Sequence, residues 1–170
     1  MDNEQVVIEE WNTNHPDWSH LQKLIDDLAQ TEWVAFQADW HLSSHILVAS
    51  QSGRVLGFLR YVVQPIGVEE DEAAVVLDGQ MLTEGKVMAF GVKASHRRKG
   101  IGRQLQIQLI QECKAKECHQ IRSHSGTESI ENHALKLSMG FAMHPLVREH
   151  GKAGAYFLLP LKNMVGVRPL

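Results

Sequence analysis

The sequence predicts one domain, residues 1–170, of mixed α/β class: a mixed sheet of about six to seven strands with flanking helices and a central parallel strand pair. Three observations predict it. Strand-like segments come first along the chain, and helical and strand-like segments then alternate. Residues 87–117 read in order as a strand, a glycine-rich basic loop and an amphipathic helix. The chain has 170 residues, 44% of them hydrophobic, which is enough for one full core.

The elements follow in chain order. Residues 6–11 are rich in β-branched side chains and read as a first strand. Asp17 or Ser19 can cap a helix that carries Leu21, Leu24, Ile25 and Leu28 at helical spacing. Residues 31–42 are rich in aromatics, with Trp33, Phe36 and Trp40. Residues 46–49 and 55–63 form a hairpin around the Ser52–Gly53 turn, and Pro65 ends its second strand. Residues 66–79 are irregular and hold an acidic run at 69–72, which reads as a solvated loop or as a patch that attracts a cationic ligand. A long fourth strand lies within 81–92, with Glu84 and Gly85 as a turn or bulge inside it. A helix over 100–117, a strand over 119–124 and a short helix ending at Gly140 come next. Residues 152–155 read as the turn between strands at 146–149 and 156–161.

Composition removes several classes of function. A net charge of −3 argues against nucleic acid as the main partner. No apolar run approaches the ~20 residues needed to cross a bilayer. Met1, Asp2, Asn3 and Glu4 do not resemble a secretory signal, so a cytoplasmic protein is expected. Cys113 and Cys118 fall on different faces of one predicted helix, which makes an internal disulfide unfavourable and fits reduced thiols. Ten histidines are present, but none sits in a metal-ligand spacing on a credible scaffold, and no metal is expected.

The junction at 87–103 carries the chemistry. Gly100 and Gly102 allow a tight turn, and Arg97, Arg98, Lys99 and Arg103 bring positive charge to a helix N-terminus. Such a place holds a pyrophosphate. The nucleoside-triphosphate string G-x-x-x-x-G-K-[ST] is absent, and Leu105 stands where a dinucleotide fingerprint needs glycine. The remaining pattern, R-x-x-G-x-G between strand and helix, resembles the acetyl-CoA-binding motif of the GNAT superfamily of N-acetyltransferases. The wider match starts at Val92, with Ala94 in place of the usual proline. Residues 132–141, ending in Gly140 and Phe141, resemble the short helix that follows the family's fifth strand.

This resemblance implies a GNAT-like fold, acetyl-CoA as co-substrate, and transfer to a primary amine of a small molecule or peptide by direct attack in a ternary complex. The alternative is a non-catalytic CoA-binding or protein-interaction module that keeps the fold; a homodimer is compatible with either. The resemblance assigns CoA contacts to Phe90, Gly91, Val92, Arg97, Arg98, Lys99, Gly100, Ile101, Gly102 and Arg103, and to the Asn132 amide. For the base, Glu84 shares strand parity with Met88 and Val92; His124, where the fourth and fifth strands should separate, is the other candidate. The tyrosine that many family members carry four residues before the Gly of the Gly-Phe pair is Lys136 here. Lys136 is either a cation near the leaving thiolate or a solvated helix residue, with Ser138 and His133 as substitutes. Trp33 and Trp40 belong to an acceptor pocket, to the core or to packing against a partner, and Tyr156 lies on a late strand away from the family's acid.

Overall fold

The structure is a computed structural model, and it describes residues 5–147 and 153–161. Met1 to Glu4 and part of the expected 152–155 turn lie outside these residues; Ala153 onward is already strand. The elements are β1 (Val7–Glu10), α1 (Trp18–Asp27), α2 (Thr31–Ala35), β2 (Ser43–Gln51), β3 (Arg54–Pro65), β4 (Val76–Leu77), β5 (Gln80–Met81), β6 (Thr83–Val92), α3 (Ile101–Ala115), β7 (Gln120–Gly126), α4 (Ile130–Ser138), β8 (Ala142–Val147) and β9 (Ala153–Pro160). Seven strands form one sheet in the order β1-β2-β3-β6-β7-β9-β8, and β4 and β5 make a small separate hairpin. The 66–79 segment is therefore more ordered than its composition suggests, with a 3-10 turn at Val68–Glu70 before the hairpin.

Strand β3 is central, so its residues from Val55 to Pro65 are buried on both faces. Alternate side chains feed two cores. On one face Leu47, Leu59, Tyr61 and Val87 pack under α3 through Ile101, Leu105, Leu109 and Cys113, which recur every fourth residue. On the other face Val48, Phe58 and Ala89 pack under α1 through Leu21, Leu24 and Ile25. Asp17 occupies the cap position of α1 without a side-chain cap bond. Among the described residues, no helix is long and apolar enough to cross a membrane.

The β6–β7 pair is parallel and runs only from Glu84 opposite Gln120 to Val87 opposite Ser123. Beyond Val87 the strands are no longer paired, although both continue, to Val92 and Gly126. The cause is visible in β6. Arg60 of β3 faces Ala89 and Tyr61 faces Val87, so Met88 is an extra, unpaired residue. This bulge bends the strand and inverts its alternation. Val87 points to the α3 core and Ala89 to the α1 core, whereas Phe90 and Val92 return to the α3 side. The expected turn or bulge at Glu84 and Gly85 is corrected: both lie in regular strand, and the irregularity is at Met88.

Helix α3 ends at Ala115, not 117, and the chain reverses through Glu117 at φ 58°. The Cys118 N–H donates to the Cys113 carbonyl at 2.9 Å, and the two buried thiols are hydrogen-bonded to each other. The expectation of two faces of one helix fails because Cys118 is beyond the helix; both cysteines are free thiols.

Candidate active site

The loop from β6 to α3 builds one wall of an open groove of about 890 Å³. Gly100 sits at the cap position of α3 at φ 82°, and Arg98 before it also has positive φ, 62°. The helix has no side-chain cap and no acidic residue in its first turn. The N–H groups of Ile101, Gly102 and Arg103 therefore have no intrahelical acceptor, an arrangement suited to an anion. Gly102 is needed for space: a Cβ there would lie 3.1 Å from the Phe90 ring and 3.4 Å from Leu135. Gly100 is needed for conformation, since nothing lies within 4 Å of its Cβ position.

Of the expected CoA contacts, Phe90, Gly91, Val92, Arg97, Arg98, Gly100, Ile101, Gly102, Arg103 and Asn132 line this groove; Lys99 does not. Arg97 Nε donates to the Val92 carbonyl at 3.2 Å. Arg103 donates to Ser138 Oγ at 2.7 Å and so ties α3 to α4 across the groove. Asn132 Nδ2 donates to Ser125 Oγ at 3.1 Å, while its Oδ1 is buried with no partner among the described residues. An amide N–H of a pantetheine arm would satisfy that acceptor.

A second, smaller cleft of about 360 Å³ opens where β6 and β7 separate. It shares Phe90, Ser129 and Asn132 with the groove, so the two cavities meet. Trp33 from α2, Glu69, Lys86, His124 and Lys136 line it; Trp40 does not. The His124 ring stands edge-on to Tyr156 with centroids 5.3 Å apart, so Tyr156 on β9 is nearer this cleft than its late position suggests.

Lys136 is 1% exposed. The expectation of a solvated helix residue is thus overturned: α4 lies against β7 and β9, and Lys136 faces inward. Its Nζ donates to Ser123 Oγ at 2.6 Å and lies 5.1 Å from the centre of the Phe157 ring. Burial without a counter-charge disfavours the ammonium and brings its pKa down to about 7.

Glu84 is 1% exposed and is not among the residues lining either cavity. Its carboxylate accepts from Gln64 at 3.0 Å, Gln120 at 2.8 Å and Arg122 Nε at 2.9 Å. Glu84 shares the face of Lys86, which does line the cleft, but it sits where β6 and β7 are still paired and is covered by Gln64, Gln120 and Arg122. The acidic run is also not simply solvated. Glu69 pairs with Lys86 at 2.7 Å and with Arg122, and Glu70 pairs with Arg122 at 2.8 Å. The pairing with Lys86 and Arg122 outweighs burial and holds the Glu69 carboxyl below its usual range. Sequence reasoning missed Lys86, Arg122 and Ser123. Their only signal was polar residues on strands expected to be buried on both faces.

Comparison with known proteins agrees with this geometry. Residues 6–141 match the family model described as the acetyltransferase (GNAT) family. The chain belongs to that family. It is accordingly an acetyl-CoA-dependent acyltransferase. No curated protein matches the chain. Among solved structures, it is similar to a putative acyl-CoA N-acyltransferase from Klebsiella pneumoniae, with a TM-score of 0.65 and 16% identity over 93% of this chain and 99% of that one. It is similar to Arabidopsis thaliana NAA60 in complex with acetyl-CoA, with a TM-score of 0.67 and 14% identity over 91% and 97% of the two chains. A third is the ribosomal-protein-S18-alanine N-acetyltransferase from Escherichia coli, with a TM-score of 0.61 and 20% identity over 98% and 99%. These likenesses show the GNAT fold, which the seven-stranded mixed sheet and its splayed parallel pair display directly. Among the described residues, no group of His, Cys, Asp and Glu side chains is arranged to hold a metal ion.

Proposed function

We propose that this GNAT protein transfers an acetyl group from acetyl-CoA to a primary amine of a small molecule or peptide, by direct attack within a ternary complex. The observation that carries this reading is the junction of the two cavities at Phe90, Ser129 and Asn132. One cavity offers helix N–H groups and arginines to a pyrophosphate. The other offers a proton-transfer site next to it, with Trp33 at its wall.

Acetyl-CoA supplies an activated acyl group and a leaving thiol. The chain has to orient it, exclude water and move two protons. Asn132 Oδ1 and the Phe90–Val92 backbone hold the arm. His124 takes the proton of the incoming ammonium, directly or through water. Lys136 gives a proton to the departing thiolate. An ammonium of pKa about 7 is a stronger acid than a thiol of ~8.5, so that step runs downhill. Glu84 holds Arg122 and Gln64 in place instead of acting as base. Direct attack is supported because neither Cys113 nor Cys118, the two thiols of the chain, lines either cavity.

The test is ligand stabilisation. Acetyl-CoA should raise the Tm, and ATP and NAD at equal concentration should not, because only a ligand of the native state stabilises it. A shift with NAD and none with acetyl-CoA contradicts the reading.

A further inference from the structure

Lys136 differs from the other lysines among the described residues. Lys23, Lys93, Lys99 and Lys114 are exposed and Lys116 is half-buried. Lys86 is buried, but its ammonium is held by the Glu69 carboxylate at 2.7 Å. Lys136 is buried, forms no ion pair among the described residues, and lines the cleft that meets the CoA groove. It lies one helical turn beyond Asn132, which borders both cavities, so the two side chains share a face of α4.

We propose that Lys136 is a self-acetylation site: when no acceptor amine fills the inner cleft, the Lys136 amine takes the acetyl group of bound acetyl-CoA. The inference rests on the reading of this cleft as the place where the thioester is held. In the step, the neutral amine attacks the thioester carbonyl, the C–N bond forms and the C–S bond breaks. The proton lost by nitrogen goes to the thiolate, so the products are an N-acetyl-lysine and free CoA thiol. No further reactant is needed.

Three features favour the step. Nζ is held by a single hydroxyl, Ser123 Oγ, so its lone pair is not spent on a carboxylate partner. The amine is kept from bulk water, which limits competing hydrolysis. Its pKa of about 7 leaves a large neutral fraction at neutral pH. The charged or titratable groups that line the same cleft are Glu69 beside β3, Lys86 of β6 and His124 of β7; His133 of α4 and Tyr156 of β9 lie behind it. Acetylation removes the proton donor and fills part of the cleft, so the modified protein loses transfer activity. A bound acceptor competes with the step, which makes the modification a response to scarcity of acceptor.

The experiment incubates the full chain with deuterated acetyl-CoA and no amine, and follows intact mass, released thiol and the modified position by peptide fragmentation. The proposal predicts one acetyl per chain, on Lys136, with one equivalent of thiol. The rate should be independent of protein concentration and about tenfold slower at pH 6 than at pH 8, following the neutral amine. Lys136→Arg should abolish the single addition; if that variant does not fold, the mapping in the native chain decides alone. Lys136 left unmodified while acetyl-CoA raises the Tm overturns this proposal and leaves the proposed function standing. Acetyl spread over surface lysines, at equal rate in Gly102→Val, also overturns it. If acetyl-CoA does not stabilise the chain at all, both fall.

Discussion

Burying an ammonium without a carboxylate opposes folding, and for Lys136 the pH dependence has a definite sign. Its pKa falls from 10.5 in the unfolded chain to about 7 in the fold. Between these values the unfolded state binds more protons, so stability rises with pH across that window and the full cost is present below about pH 7. By linkage the cost is on the order of 5 kcal/mol. Lys136→Met should therefore gain most relative to the native chain at pH 6, and the Tm difference should shrink by pH 9; a difference that does not change with pH contradicts the assignment. Glu84 behaves oppositely. Glu84→Gln removes the buried carboxylate charge facing Arg122 Nε, and because Glu69 and Glu70 still pair with that guanidinium the cost should stay below the ~3–5 kcal/mol of a buried pair broken outright. Lowered Tm with CoA affinity retained in the folded fraction is the expected outcome. An unchanged Tm with a rate defect rescued at high pH would return Glu84 to the role of base.

At the scale of elements, the bulge at Met88 and the cap at Gly100 make the site, and they were unequally legible. The loop at 97–103 is a local feature: glycine spacing and charge between a strand and a helix are readable without knowing what packs nearby. The bulge is not local. It depends on pairing with β3, where Arg60 and Tyr61 face Ala89 and Val87, and strict alternation along β6 then wrongly puts Glu84 on the face of Val92. The burial of Lys136 was invisible for the same reason, since it depends on Ser123 of β7 and Phe157 of β9. Cys118 was misplaced because the helix stop rests on the positive φ of Glu117, a residue with no turn signal of its own. The cap region yields a prediction. Gly102→Val adds atoms where Phe90 and Leu135 already crowd, at the entrance to the N–H groups of α3. It should raise the Kd for acetyl-CoA at least tenfold while circular dichroism shows the fold retained; unchanged affinity in a folded variant would move the phosphate site elsewhere.

At the scale of the molecule, the splay between β6 and β7 is what a single sheet offers in place of a domain interface. The parallel pair ends at Val87 and Ser123, the chain past it lines the clefts, and α4 closes the far side through Arg103 to Ser138 and Asn132 to Ser125. Glu69 and Glu70 anchor the loop before β4 onto Arg122 and Lys86, which fixes one wall of the inner cleft. The central claim is that these two joined cavities carry out acetyl transfer to an amine. It is tested most directly by measuring thiol release from acetyl-CoA with a panel of primary amines, with the native chain and Lys136→Met in parallel. The account predicts amine-dependent release that saturates in both substrates, with kcat lowered ~10²-fold or more in Lys136→Met and acetyl-CoA affinity nearly unchanged. Stabilisation by acetyl-CoA with no amine-dependent release from any member of the panel, or an unaltered kcat in Lys136→Met, would contradict it.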